Sequence, residues 1–214
     1  RTESYRMMLR ENVPLAPLTT FRIGGVARYY TIASGAIELA EAFEYAEKKK
    51  LPFYVLSGGS NVLFSDAGFP GIIIHIVGES ISVTGEKITA GAGTILFDVV
   101  RAAKQASLQG IEKMAGIPGS FGGAVRGNAG AFGTEIGNVI VSVKTLDRFS
   151  GMVHEYSKEA CRFSYRNSIF KENPNLVVLS AEIKLASGRE SEIERIIQET
   201  VAIRESKHPQ DAKC

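Results

Sequence analysis

From Gly116 to Gly137 the chain reads Gly-Ile-Pro-Gly-Ser-Phe-Gly-Gly-Ala-Val-Arg-Gly-Asn-Ala-Gly-Ala-Phe-Gly-Thr-Glu-Ile-Gly. Glycine loses more conformational freedom on folding than any other residue, so a run this sparse in bulky side chains needs a use for bare backbone. The usual uses are positive φ and close approach of main chain to another group. A bare backbone can also turn several N–H groups toward one anion, and diphosphate is the commonest such anion. Leu56-Ser-Gly-Gly-Ser-Asn-Val62 has the same character, and Gly91-Ala-Gly-Thr94 is a shorter third case. Tight turns would account for any one of these stretches. Three together point to a phosphate cradle assembled from separated loops. No Gly-x-Gly-x-x-Gly follows a strand and no Gly-x-x-x-x-Gly-Lys-Ser/Thr occurs, so the cradle is neither a Rossmann fingerprint nor a P-loop. Ser57, Ser60, Asn61 and Ser120 add hydroxyl and amide donors, and Arg126 adds charge. A site that meets a diphosphate mainly with neutral donors suits a large, slowly exchanging cofactor.

The bulk properties narrow the class. The 214 residues suffice for one large domain or two small ones, with an ordinary 44% hydrophobic and 22% charged content. A net charge of +2 gives no case for nucleic acid, and Lys48-Lys49-Lys50 reads as a solvated helix end, where cations suit the dipole. Cys161 and Cys214 form no metal spacing or disulfide framework, and His75, His154 and His208 are scattered, so no metal is expected. No apolar stretch approaches the length of a membrane span and no signal peptide is visible, so a soluble, cytoplasmic setting without a membrane partner is expected. The first residue is Arg1 rather than Met, which agrees with a processed or excerpted chain.

Residues 1–19 contain Val13-Pro-Leu-Ala-Pro17 and read as an extended lead-in. Residues 20–80 read as a β-α-β-β subdomain. Its parts are a strand at Arg28–Ile32, a helix capped by Ser34 and running to Lys50, a strand at Phe53–Leu56, and further strands at Val62–Phe64 and Gly71–Ile76. Leu39, Phe43 and Ala46 form the helix's apolar face. Residues 81–188 read as a second subdomain. It opens with a hairpin of Ile81–Thr84 and Lys87–Ala90, and Thr94 then caps a helix that ends near Gly110. Strands follow the glycine run at Val139–Leu146, Met152–Tyr156 and Leu176–Leu185. Ser187-Gly-Arg-Glu190 has capping-box spacing and opens a final helix to about Ser206, with Ile193, Ile196, Ile197 and Val201 as its buried stripe. Residues 189–214 would lead toward a further domain that the chain lacks. The mixture of helices and strands is an α+β pattern rather than a strict βαβ alternation.

Four motifs carry a resemblance: Thr20-Phe-Arg-Ile-Gly-Gly25, Leu56-Ser-Gly-Gly-Ser-Asn-Val-Leu63, Gly116–Val125 with Asn128-Ala-Gly-Ala-Phe-Gly133, and Tyr165-Arg-Asn-Ser-Ile-Phe170. In this order, and over residues 10 to 210, the chain resembles the UDP-N-acetylenolpyruvoylglucosamine reductase family. The resemblance implies an α+β fold of two subdomains with non-covalent FAD between them, the vanillyl-alcohol-oxidase-like (PCMH-type) FAD fold. It implies a bacterial enzyme of peptidoglycan precursor synthesis with NADPH as reductant and a UDP-sugar as substrate. The flavin would pass hydride to the enolpyruvyl double bond, giving UDP-N-acetylmuramate. No His or Cys lies in 56–66 or 116–137, which disfavours covalent tethering.

The residues expected at the cofactor are Arg22, Gly24, Leu56, Ser57, Gly58, Gly59, Ser60, Asn61, Val62, Gly91, Ala92, Gly116, Ile117, Pro118, Gly119, Ser120, Gly122, Gly123, Arg126, Asn128 and Gly130. Tyr165-Arg-x-Ser-x-Phe matches the family's active-site motif. Hydride addition β to a carboxylate builds enolate-like charge on that carboxylate. A guanidinium can hold both oxygens and stays charged, so Arg166 is the expected catalytic residue. Tyr165, Arg204 and Lys207 are expected at the substrate. The alternatives are a surface ion pair for Arg166, a core aromatic for Tyr165, and exposed helix-end charges for Arg204 and Lys207. The family also uses a serine or cysteine proton donor just past a Lys-x-Pro stretch, and a late glutamate. Lys207-His-Pro209 is present, Cys214 falls before the donor position, and the glutamate has no counterpart. The chain is therefore expected to be the FAD-binding part of a longer enzyme, with little or no turnover alone. A different FAD oxidoreductase of the same fold, or a naturally short flavin-binding relative, is the alternative.

Overall fold

The computed structural model describes residues 7–207, so His208, Pro209 and Cys214 lie outside the described residues. Strand β1 (Arg10–Pro14) lies in the proline-containing lead-in and pairs antiparallel with β2 (Val26–Ala33). Helix α1 (Ala36–Lys48) follows, then β3 (Phe53–Leu56) and β4 (Phe69–Ile76). The sheet order is β1-β2-β4-β3, with β4 parallel to both of its neighbours. A central parallel strand is covered on both faces, and Ile72, Ile73 and Ile74 are fully buried as that requires. Ile72 and Ile74 pack with Leu39, Ala42, Phe43 and Ala46 of α1. Ile73 points the other way, into a cluster with Val13, Leu15, Leu56 and Phe64.

The second sheet is antiparallel throughout. Strands β5 (Ile81–Thr84) and β6 (Lys87–Gly91) form a hairpin, followed by α2 (Leu96–Gln105) and the short β7 (Leu108–Gln109). The chain then makes α3 (Phe121–Arg126), the small hairpin β8 (Gly130–Ala131) and β9 (Thr134–Glu135), and α4 (Ile136–Val139). Next come β10 (Ile140–Asp147), β11 (Val153–Ser157), α5 (Ile169–Glu172), β12 (Leu176–Lys184), β13 (Ala186–Ser187) and α6 (Glu190–Lys207). The order is β11-β10-β12-β6-β5. Leu146 of β10 and Val177 of β12 enter the α1 cluster, so α1 is packed between the two sheets.

The structure departs from the sequence reading in four local respects. Val62–Phe64 is not a strand. Because β3 and β4 are parallel neighbours, residues 57–68 must carry the chain back along the sheet, and Phe64 buries its ring from that connection, edge-on to Tyr54 at 5.4 Å. The three expected helix caps are spent elsewhere. Ser34 donates to the Glu38 carboxylate while Gly35 is the N-cap of α1. The Thr94 hydroxyl accepts from Ser80 N at 3.1 Å and donates to Ser80 O at 3.2 Å. Ser187 is drawn into β13 opposite Leu108, and its hydroxyl donates to Glu86. Helix α2 stops at Gln105 rather than near Gly110, because Ser107 turns left-handed (φ 55°) to deliver Leu108 to β13. Finally, the glycine run is not all loop. Its centre is α3, whose N-cap Ser120 accepts from Gly123 N at 3.2 Å.

Candidate active site

The loop after β3 meets the start of the glycine run at van der Waals distance. A Cβ on Gly58 would sit 2.7 Å from Gly119 Cα and from Ser120 N, so only glycine fits. Gly119 has φ +110°, and a Cβ there would lie 2.5 Å from Ser60 Oγ. Ser60 donates to Pro118 O at 3.0 Å, and Thr20 N donates to Gly59 O at 3.0 Å, which closes a third segment onto the pair. Among the described residues, the N–H groups of Gly58, Gly59, Ser60, Asn61, Gly119 and Ser120 donate to no protein acceptor. Two stretches of unspent main-chain donors thus lie against each other, and Gly58 and Asn61 are exposed. This is the donor set a diphosphate takes, and it fits the diphosphate of a dinucleotide cofactor.

The Gly91–Gly93 turn joins this cradle to the space between the sheets. Ala92 O accepts from Gly122 N at 2.9 Å, Thr94 O accepts from Phe121 N at 2.7 Å, and Ala92 N donates to Leu179 O on β12 at 2.8 Å. The same turn lines a cavity of about 440 Å³ with Ala33–Ala36, Ile76–Ser80, Leu179 and Ser180. That volume falls within the usual range for small-molecule sites.

Tyr165 and Arg166 occupy the tip of a tight turn. Ser164 N donates to Asn167 O at 3.1 Å and Asn167 N returns to Ser164 O at 3.0 Å. Arg166 is left-handed (φ 54°), a conformation that costs energy for a non-glycine residue and concentrates at functional sites. Its Nη2 donates to Gly130 O at 2.9 Å, and Lys171 Nζ donates to Arg166 O at 2.8 Å. Tyr165 is 81% exposed, so it is not a core aromatic. Arg204, on α6, lies beside Gly116, and its Nε is buried with no partner among the described residues. Burial, and then the positive charge of Arg166, pull Arg204 below the ordinary arginine range. Among the described residues neither arginine makes an ion pair. Two like charges with a buried orphan donor are stabilised by an anion between or beside them. Lys207 is exposed at the end of α6.

Several of the residues expected at the cofactor turn their side chains into the fold. The Asn128 side chain is 1% exposed, and both of its N–H bonds and one acceptor position are taken up by Glu135, Ser164 and Gly137, so it ties three segments of the fold together. Leu56 is a core side chain beside Phe64 and Ile73, and Val62 packs on the same cluster. The Ser57 and Ser60 hydroxyls donate to the carbonyls of Ile76 and Pro118, and Ser120 Oγ serves as a cap. These side chains stitch loops together and leave the main-chain N–H groups of the cradle unspent. Gly91, Ala92 and Gly122 are buried, with a Cβ on Gly122 only 2.5 Å from that of Ala92. Gly24 (φ +139°) packs its backbone on Phe64, and Ile117 leans on the second core. Arg22 (φ 54°) is exposed on the segment tied to Gly59, Gly116, Pro118 and Gly123 are exposed, and Arg126 is exposed at the end of α3. Sequence reasoning missed Glu135, whose carboxylate meets Asn128, and Ser168, which is fully buried and donates to Arg126 O at 2.7 Å. Cys161 is buried, which pushes its thiol up to about 12 and leaves it unreactive as a nucleophile. Among the described residues no group of three His, Cys, Asp or Glu could hold a metal, and no helix is long and apolar enough to cross a membrane.

Comparison with known proteins agrees with this geometry. Residues 27–157 match a family described as an FAD binding domain. The UDP-N-acetylenolpyruvoylglucosamine reductase of Solibacter usitatus is 34% identical over 203 residues, covering 95% of this chain, and the chain spans only 64% of that relative's length. Among solved structures, the UDP-N-acetylenolpyruvylglucosamine reductase of Thermus caldophilus superposes with a TM-score of 0.78 at 31% identity, covering 96% of this chain and 71% of that one. The 6-hydroxy-D-nicotine oxidase of Arthrobacter nicotinovorans matches with a TM-score of 0.59 at 23% identity, over 75% of this chain and 36% of that one, a likeness of fold alone.

Proposed function

The chain belongs to the UDP-N-acetylenolpyruvoylglucosamine reductase family, and from that premise we propose that these 214 residues are the FAD-binding portion of an enzyme that reduces an enolpyruvyl UDP-sugar to UDP-N-acetylmuramate with NADPH. The observation that carries the cofactor assignment is the double row of unspent N–H groups where Gly58–Asn61 meets Gly119–Ser120. Bound FAD would supply the redox chemistry, taking a hydride from NADPH and delivering it to the enolpyruvyl double bond. The cradle would hold its diphosphate through neutral donors.

Arg166 would do the polar work of the reduction. As hydride adds β to the carboxylate, negative charge grows on the carboxylate oxygens, and the guanidinium stabilises it by parallel hydrogen bonds. Removing such aimed charge typically costs about 3–4 kcal/mol at the transition state, by analogy with oxyanion-hole donors. Arg204 would bind a second anionic group, since its buried Nε is already desolvated and has no acceptor among the described residues. Tyr165 and Lys207 would orient the sugar nucleotide. The exposure of Tyr165 and Arg166 sets a limit on catalysis. Water around a guanidinium screens the charge it would otherwise focus on the substrate, so turnover by these residues alone is slow.

The test is the absorbance spectrum of the purified chain after FAD is added and the protein desalted. A retained flavin band is expected. Saturation to about 100 times the dissociation constant should add about 2.7 kcal/mol of stability, read as a rise in Tm. A colourless protein with an unmoved Tm would sink the assignment. Rapid conversion of the enolpyruvyl sugar by this chain alone would overturn the statement about turnover.

A further inference from the structure

Arg166 is held at both ends by one buried amide. The Asn128 Nδ2 group donates to Ser164 O at 2.8 Å and to Glu135 Oε2 at 2.9 Å, and its Oδ1 accepts from Gly137 N at 2.9 Å. Both of its N–H bonds and one of its two acceptor positions are in use. Asn128 is left-handed (φ 44°), just past the end of α3, and it is buried. Ser164 is the base of the turn that carries Tyr165 and Arg166. Glu135 is the strand partner of Gly130 across the β8–β9 hairpin, and Gly130 O is the acceptor of Arg166 Nη2. The hairpin tip, Phe132 and Gly133, has positive φ at both residues, which makes it a tight two-residue connection with little play. A single side chain therefore fixes the backbone from which Arg166 projects and the carbonyl on which its guanidinium rests.

We propose that Asn128 and Glu135 are positioning residues for Arg166, setting where its guanidinium meets the substrate carboxylate. The importance of that position for catalysis rests on the function proposed above, but the positioning itself does not. The positioning role of each requires no contact with substrate. Asn128 has no solvent-facing polar edge, and Glu135 acts through the hairpin it holds. The acceptor on Glu135 is what the latch needs, so an uncharged isostere that still accepts should serve in its place.

The experiment is nitrogen NMR of the arginine-labelled full chain, with the Arg166 side-chain signals assigned from the Arg166→Lys spectrum. Rotation about the Nε–Cζ bond of Arg166 is read against Arg195, which is held separately by Glu192 and Glu199. Glu135→Ala and Asn128→Ala should each speed Arg166 rotation at least threefold while Arg195 is unchanged. Glu135→Gln should keep the wild-type rate. An unchanged Arg166 rate in folded Glu135→Ala would overturn the proposal. So would a joint change of Arg166 and Arg195, which would mean general loosening, or a Glu135→Gln variant as fast as Glu135→Ala. If Asn128→Ala fails to fold, the two Glu135 variants decide the matter. The readout needs neither FAD nor substrate, so a chain that fails to bind flavin leaves this result standing.

Discussion

Thr145 places its hydroxyl in the interior of β10 beside a register shift, and its Oγ1 is fully buried with no partner among the described residues. A buried unpaired hydroxyl costs about 1–3 kcal/mol, and valine has nearly the same shape without it. Thr145→Val should therefore stabilise the fold by about 1 kcal/mol, raising Tm by about 2–4 °C in a chain of this size. Thermal melts of the two proteins compare them directly. His75 gives a pH dependence. Its Nδ1 lies 2.7 Å from Tyr30 Oη, and burial pulls the imidazole below its usual 6.5, opposed by a smaller contribution from the Ser57 backbone. The unfolded chain then binds the proton more tightly than the folded one. The contribution of His75 to stability is full above pH 6.5 and is lost as pH falls from there through the lower folded value. Melts at pH 7.5 and 5.5 should show wild type losing more than His75→Gln over that interval, and equal losses would refute it.

At the scale of elements, α6 carries Arg204 as well as part of the second core. Ile193 and Ile197 bury one stripe in the second core, Lys104 of α2 meets Glu194 at 2.8 Å, and three turns further on the same helix sets Arg204 beside Gly116. The half-buried ion pair at the surface contributes little beside the isoleucines, which carry the attachment. Ile193→Ala should cost about 3 kcal/mol of stability. If the helix also positions the anion site, FAD or sugar-nucleotide affinity should fall in the same variant, whereas Lys104→Ala should leave affinity unchanged. Titration of both variants separates the two roles. The helices were readable because their apolar periodicity is local: Leu39, Phe43 and Ala46 in α1, and Ile193 and Ile197 in α6. Their caps were not, since Ser34, Thr94 and Ser187 each had a tertiary or side-chain partner that competes with capping, and spacing along the chain cannot report it.

For the whole molecule, the glycine stretches announced that bare backbone was required, and the contact of Gly58 with Gly119 is the reason. What no sequence pattern carried is the division of labour around that contact. The hydroxyls of Ser57, Ser60 and Ser120 and the amide of Asn128 are spent on protein partners, and the main-chain N–H groups of Gly58–Asn61, Gly119 and Ser120 are left without an acceptor among the described residues. The strand order has a further consequence, for the way the chain is made. Residues 10–76 hold every strand of the first sheet, so that sheet can close while synthesis continues. The second sheet cannot, because β6, already paired with β5, finds its second neighbour only when β12 arrives, with Lys87 opposite Lys184 and Gly91 opposite Ser180. During translation β6 therefore waits with an unpaired edge while residues 92–175 are added behind it, and a nascent chain stalled short of β12 should recruit holdase chaperones that one extended past α6 no longer needs.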